Sequence, residues 1–226
     1  MALMNNEALG MNNNRVLVIT AVEAERDAVV RGLRGAAGFD VVAAGVGTAR
    51  AAAGTAAALA AGGYRLVISA GIGGGFEGRA AVGTVVVASK VIAADLGAET
   101  PEGFLSLDEL GFGSSCIAVD VTLADTVAAA LKQAGLPAST GAVLTVSTVT
   151  GTGETASELI RRNPDAAAEA MEGYGAAVAA KRLGLPFLEL RTISNAVGPR
   201  DRSAWRIKEA LEVLEAASAA LREAVS

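Results

Sequence analysis

ELRTISNAVG, Glu189 to Gly198, follows an apolar approach from Leu183 to Leu188. It reads as a buried strand that runs into a loop at Ser194-Asn195. Upstream, AEAMEGYGAA, Ala168 to Ala177, reads as the start of a helix carrying Glu172. Alanine favours a helix from Ala166 to Ala180, against the cost of Gly173 and Gly175. A strand end beside a helix start makes a ligand pocket in an α/β protein.

The same alternation extends toward both ends. RVLVITAV, Arg15 to Val22, is a dense β-branched run and reads as a central strand. Glu23, Glu25 and Asp27 follow, where acidic residues compensate a helix dipole. Glu25 also stands just past a strand end, where open sheets hold ligands, and is the candidate general base or water-orienting group. Phe39 to Ala44 is a second strand, Gly45 to Gly47 a turn, and Thr48 to Ala61 an alanine-rich helix with Thr48 as its cap. Tyr64 to Ala70 is a third strand, which enters Gly71-Ile72-Gly73-Gly74-Gly75. Glycine costs entropy in regular structure, so that run reads as a ligand-facing loop. It lacks the lysine of a phosphate-binding Walker loop, and GVGTAR at Gly45 does not complete a dinucleotide fingerprint.

Further strands are expected at Gly83 to Val91 and Gly141 to Val149. Further helices are expected at Asp120 to Ala134, from near Glu154, and at Ser203 to Val225 with Trp205 in the apolar face. Leu96 to Gly113 breaks the pattern and reads as an insertion, a lid or a subunit contact. Alternating strands and helices argue an α/β fold. Residues 15–226 read as a single domain, and 1–14 as a disordered leader with Met11 as an alternative start.

Composition narrows the chemistry. There is no histidine among the 226 residues, which removes imidazole acids, bases and zinc ligands. The single cysteine, Cys116, excludes an intrachain disulfide. Acid-base work therefore falls to Glu or Asp. Net charge is -5 with no basic block, so nucleic acid is not an expected partner. No apolar run reaches membrane-spanning length, and a cytoplasmic setting is expected.

Five motifs together resemble the nucleoside phosphorylase and nucleosidase superfamily: ITAVEAERDAV (Ile19 to Val29), AGVG (Ala44 to Gly47), SAGIGGG (Ser69 to Gly75), AMEGYGAA (Ala170 to Ala177) and RTISNAVG (Arg191 to Gly198). RTISNAVGPRDRS is most similar to the futalosine hydrolases of the menaquinone pathway. The resemblance implies a three-layer α/β/α fold with a central mixed twisted sheet. It implies a homo-oligomer that hydrolyses a small-molecule nucleoside and needs no cofactor or metal. By the same resemblance Glu25 positions the attacking water, and Met171 with Glu172 grips the ribose hydroxyls. Asn195 stands where adenosine-type relatives carry the aspartate that protonates N7 of the leaving base. Its amide can donate to N7 and O6 of hypoxanthine instead. Val149 replaces the aromatic that stacks on the base in those relatives, which leaves Phe104 as a candidate for that role. Gly47, Gly71, Ile72, Gly73, Thr150 and Ala170 complete the implied substrate contacts. Neither Glu25 nor Glu172 is expected to matter to the core. Three alternatives stand beside this reading. They are a methylthioadenosine/adenosylhomocysteine-type nucleosidase, a phosphorylase using Arg50 as phosphate ligand, and a non-catalytic nucleoside-binding module.

Overall fold

The computed structural model describes residues 14–225, so all of the expected leader but Asn14 lies outside the described residues. β1 (Arg15–Thr20) lies between β2 (Phe39–Ala43) and β3 (Tyr64–Gly75), all parallel. Leu17, Val18 and Ile19 are fully buried, as a strand covered on both faces requires. β4 (Val85–Ala93), β8 (Ala138–Thr145), β9 (Ala166–Ala170) and β10 (Phe187–Ala196) extend the sheet. β10 pairs with both β3 and β4, β4 with β8, β8 with β9, and β9 with β3. Five strands thus close on themselves, while β1 and β2 splay outward from β3, and β7 (Cys116–Ala118) adds to β4.

Two helical groups cover this mixed sheet. α2 (Thr48–Ala61) packs on α5 (Gly173–Arg182), while α6 (Ile207–Ala224) packs on α1 (Glu23–Leu33) and α3 (Val121–Gln133). Asp120 caps α3 by accepting from the Leu123 N–H, and Thr152 caps α4 (Gly153–Arg162) through the Thr155 N–H. The α2–α5 contact depends on a missing side chain, because a Cβ on Gly175 would run into the Thr48 carbonyl oxygen. Gly175→Ala is expected to destabilise the fold by about 1–3 kcal/mol, the range for overpacking a tight contact. A denaturant midpoint equal to that of the parent would contradict this.

Several boundaries differ from expectation. Ala166 to Ala180 is not one helix: Ala166–Ala170 is β9, and α5 starts at Gly173. Intrinsic propensity loses here to the vacancy between β8 and β3, which β9 fills with all five residues buried. Gly71 to Gly75 is not a loop but the second half of β3, hydrogen-bonded to β10 along its length and to β9 at Gly74 and Gly75. None of its glycines has positive φ, so close approach and not backbone freedom explains them.

β10 likewise continues through Ser194-Asn195, with an irregular register between Ile193 and Asn195. That irregularity lets two successive side chains face one cavity. β8 ends at Thr145, short of the expected Val149, which frees residues 146–152 as a loop. α6 starts at Ile207, after a 3-10 turn at Arg202–Ala204, and Trp205 therefore leaves the helix. Gly47, not Thr48, caps α2 with backbone alone, and the Thr48 hydroxyl donates to the Met171 carbonyl at 3.2 Å. Leu96 to Gly113 carries a hairpin of β5 (Gly97–Thr100) and β6 (Gly103–Ser106), and none of its residues lines that cavity.

Candidate active site

A cavity of about 250 Å³ opens at the ends of β1, β3, β9 and β10. Glu25, Ile72, Gly73, Val149, Thr150, Ala170, Met171, Glu172 and Asn195, all expected from sequence, line it. Gly74, part of the glycine run read as ligand-facing, lines it too, and so do Ser194, Glu169, Trp205 and Ile207, which were not foreseen. Three expected contacts lie elsewhere. Gly47 instead donates its N–H to Glu172 Oε1 at 3.2 Å. Gly71 lies behind the wall, and Phe104 covers the Arg162 guanidinium, 4.2 Å from its ring centroid. Phe104 therefore cannot stack on a ligand in its own chain's cavity. The aromatic present there is Trp205, whose ring also faces Arg200 and Arg202.

Glu25 is held as tightly as a structural residue. Its Oε2 accepts from the N–H groups of Ala21 at 2.9 Å and Val22 at 3.2 Å, and its Oε1 accepts from the Ile72 N–H at 2.9 Å. Capping α1 and serving the cavity are thus one role. A carboxylate offers about four lone-pair sites, so one remains for a water or substrate hydroxyl. Glu25 thereby ties α1 to β3, a structural link that the sequence reading did not include.

Glu172 sits at the head of α5, where it also accepts from the Met171 N–H at 3.3 Å. Its Oε2 lies 3.4 Å from Nη1 of Arg191, which is 1% exposed. Arg191 also donates to Glu189 at 2.8 Å and to the Ser69 hydroxyl at 2.9 Å. Burial opposes the charge on Arg191, but Glu189, Glu172 and Glu25 outweigh it and raise its pKa. The buried guanidinium supports the site from beneath. Glu189 is fully buried with one oxygen unpartnered, and burial pushes its pKa up against the pull of Arg191.

Gly71 makes the cluster possible. A Cβ there would lie 2.6 Å from Glu25 Oε1 and 2.8 Å from Arg191 Nη1. Gly71→Ala is expected to displace both groups and lower kcat by about 10²-fold, the scale for a catalytic group misplaced by an ångström. Parental kcat in this variant would show that the Glu25–Arg191 approach is dispensable.

Asn195 carries a defined amide orientation. The Ser194 hydroxyl donates to Asn195 Oδ1 at 2.8 Å, and Asn195 Nδ2 donates to the Ala196 carbonyl at 2.9 Å. One hydrogen of the NH2 group is left over. Opposite, Glu169 accepts from the Thr150 N–H at 2.9 Å and from the Thr150 hydroxyl. Burial pushes the Glu169 pKa up, while the two Thr150 donors pull it down. Sequence reading missed Glu169 because a helix from Ala166 would not aim it at Asn195. Treating AAAEA as a strand would have found it.

The site sets the Glu25 and Glu172 carboxylates at one end and, at the other, the Asn195 amide across from the Glu169 carboxylate. It can therefore support a cationic centre near Glu25 and Glu172 and an electron-rich ring near Asn195. A model of the phosphorylase superfamily matches residues 20–226. Futalosine hydrolase of Acidothermus cellulolyticus is 51% identical over 91% of this chain and 89% of that protein. Its counterpart from Streptomyces coelicolor is 52% identical over 88% and 91%. The chain belongs to the phosphorylase superfamily, in its futalosine hydrolase branch. The superfamily fold extends to distant sequences. The native structure of a Helicobacter pylori futalosine hydrolase superposes with a TM-score of 0.77 at 17% identity, over 94% of this chain and 97% of that one. In superfamily terms, Arg50 is exposed and absent from the cavity wall, which holds no Arg or Lys among the described residues.

Proposed function

We propose that this chain hydrolyses the N-glycosidic bond of futalosine, releasing hypoxanthine and dehypoxanthine futalosine on the route to menaquinone. The observation that carries the reading is identity of 51% and 52% to two futalosine hydrolases over nearly the whole chain. The residue roles follow from charge. Cleavage builds positive character on the sugar and negative charge on the departing base. Glu172, held by Arg191 and the Gly47 N–H, accepts bonds from ribose hydroxyls and offsets the sugar's charge. Glu25 accepts a proton from water directed at the anomeric carbon, its free lone pair being the one site its backbone partners leave open. Asn195 donates its spare N–H to the N7 and O6 side of the base.

Hydrolysis is favoured over phosphorolysis by a cavity wall without a basic side chain among the described residues and by the engagement of the buried Arg191 with Glu189, Ser69 and Glu172. We also place the enzyme in the cytoplasm as a homo-oligomer. Phe112, 79% exposed beside the β5–β6 hairpin, supports a subunit contact there. Among the described residues no helix is long and apolar enough to cross a membrane. An active monomer in light scattering would overturn the assembly.

The test of substrate offers futalosine, inosine, methylthioadenosine and adenosylhomocysteine and follows the free base by chromatography. Futalosine is expected to have the highest kcat/KM. Preference for methylthioadenosine would overturn the reading.

A further inference from the structure

Glu169 is a buried carboxylate in the wall of the cavity that the reaction, as derived above, does not use. Its placement is tied to Asn195 by the sheet. Gly74 of β3 pairs with Glu169 of β9 on one side and with Asn195 of β10 on the other. Residues opposite one another in neighbouring strands share a face, so the two side chains flank a position that has none. A side chain at Gly74 would close this gap, since its Cβ would lie 3.3 Å from Asn195 Nδ2 and 2.9 Å from Val197. Two strand spacings, roughly 10 Å, separate the two backbones. That leaves room for the edge of one flat heterocycle with a hydrogen bond at either end.

The chemistry at the two ends differs. Asn195 offers a donor. Glu169 offers acceptors, because Thr150 occupies one lone pair on each oxygen and fixes the carboxylate plane. A 6-oxopurine carries the matching order along its edge: acceptors at N7 and O6, then a donor at N1–H. A 6-aminopurine presents an acceptor at N1 and would face the carboxylate acceptor to acceptor. We propose that Glu169, set in place by Thr150, is a specificity-determining residue that accepts the N1–H of a 6-oxopurine base. This rests on the nucleosidase reading of the site and assigns the second half of its base recognition.

The experiment compares kcat/KM for futalosine, its 6-amino counterpart and its N1-methyl derivative on the parent enzyme and on Glu169→Gln. In the parent, N1-methylation removes the donor, and kcat/KM is expected to fall about 30- to 100-fold, the scale of one hydrogen bond to a charged group. In Glu169→Gln the amide can turn its NH2 toward N1 of the 6-amino base. The ratio of 6-amino to 6-oxo cleavage is then expected to rise roughly 100-fold, from a tenfold loss on one substrate and a tenfold gain on the other. Equal losses on both substrates would show a merely structural carboxylate and overturn the proposal. So would a parent enzyme that cleaves the N1-methyl derivative as well as futalosine, an arm that needs no variant to fold. Either result leaves futalosine hydrolysis standing. A parent enzyme that cleaves no futalosine at all would instead remove the reading on which the proposal rests.

Discussion

Glu25→Gln is expected to lose at least about 10²-fold in kcat, in the range typical of a positioned acid-base group. It is also expected to lose stability. The glutamine oxygen can satisfy either the Ala21 and Val22 N–H groups or the Ile72 N–H, but not both sides. Keeping the α1 cap turns the new NH2 group against the Ile72 N–H, donor to donor, and places it where the attacking water must give up a proton. One orphaned backbone donor costs about 1–3 kcal/mol. The denaturation midpoint should therefore fall along with the rate. A variant with near-parental turnover would remove Glu25 from its role. A variant with lost turnover and unchanged stability would show that its backbone hydrogen bonds do not hold α1 against β3.

Asn195→Asp is expected to lower kcat/KM for futalosine by about 10² to 10³-fold, roughly 3 to 4 kcal/mol, the scale of losing a donor at a developing anion. The amide's spare hydrogen disappears. Where Nδ2 now donates to the Ala196 carbonyl, the aspartate oxygen would meet it acceptor to acceptor. The ionised form would also face two acceptors on the hypoxanthine edge. The 6-amino counterpart should lose less or gain, because a protonated aspartate donates to N7 and accepts from the 6-amino group. A full exchange of base preference should need Glu169→Gln as well, since N1 of a 6-aminopurine still meets the Glu169 carboxylate. An unchanged ratio between the two substrates in Asn195→Asp would mean that Asn195 does not read the base.

The parts of this architecture that were legible in the sequence are those where local preference and final environment agree. RVLVIT is β-branched and ends as a strand buried from Val16 onward. TARAAAGTAAALAA is helical by propensity and forms α2 from Thr48 to Ala61, as read. The misread segments are those where tertiary context overrules composition. AAAEA would be helix in isolation, yet it is inserted into the closing sheet as β9. The Gly71–Gly75 run would be loop by entropy, yet Glu25, Arg191, Ala80 and Val197 crowd so close that only glycine fits the strand. Long-range pairing sets both, and neither leaves a local trace.

The same division holds at the site. Glu25, Glu172 and Asn195 were found because each lies in a motif read at a strand exit or a helix start, and all three line one cavity. Glu169 and Trp205 were missed because the wrong element was drawn over them. The Arg191 cluster escaped notice because nothing local reveals that Gly71 leaves space for a guanidinium from β10.

The choice of water as acceptor is open to one direct measurement. Futalosine is turned over in saturating phosphate and in phosphate-free buffer, and the sugar product is weighed by mass spectrometry. A cavity wall without Arg or Lys among the described residues predicts equal rates in both buffers and the free hemiacetal sugar as the product in each. A sugar 1-phosphate formed only when phosphate is present, at a faster rate, would contradict hydrolysis and make this chain a phosphorylase.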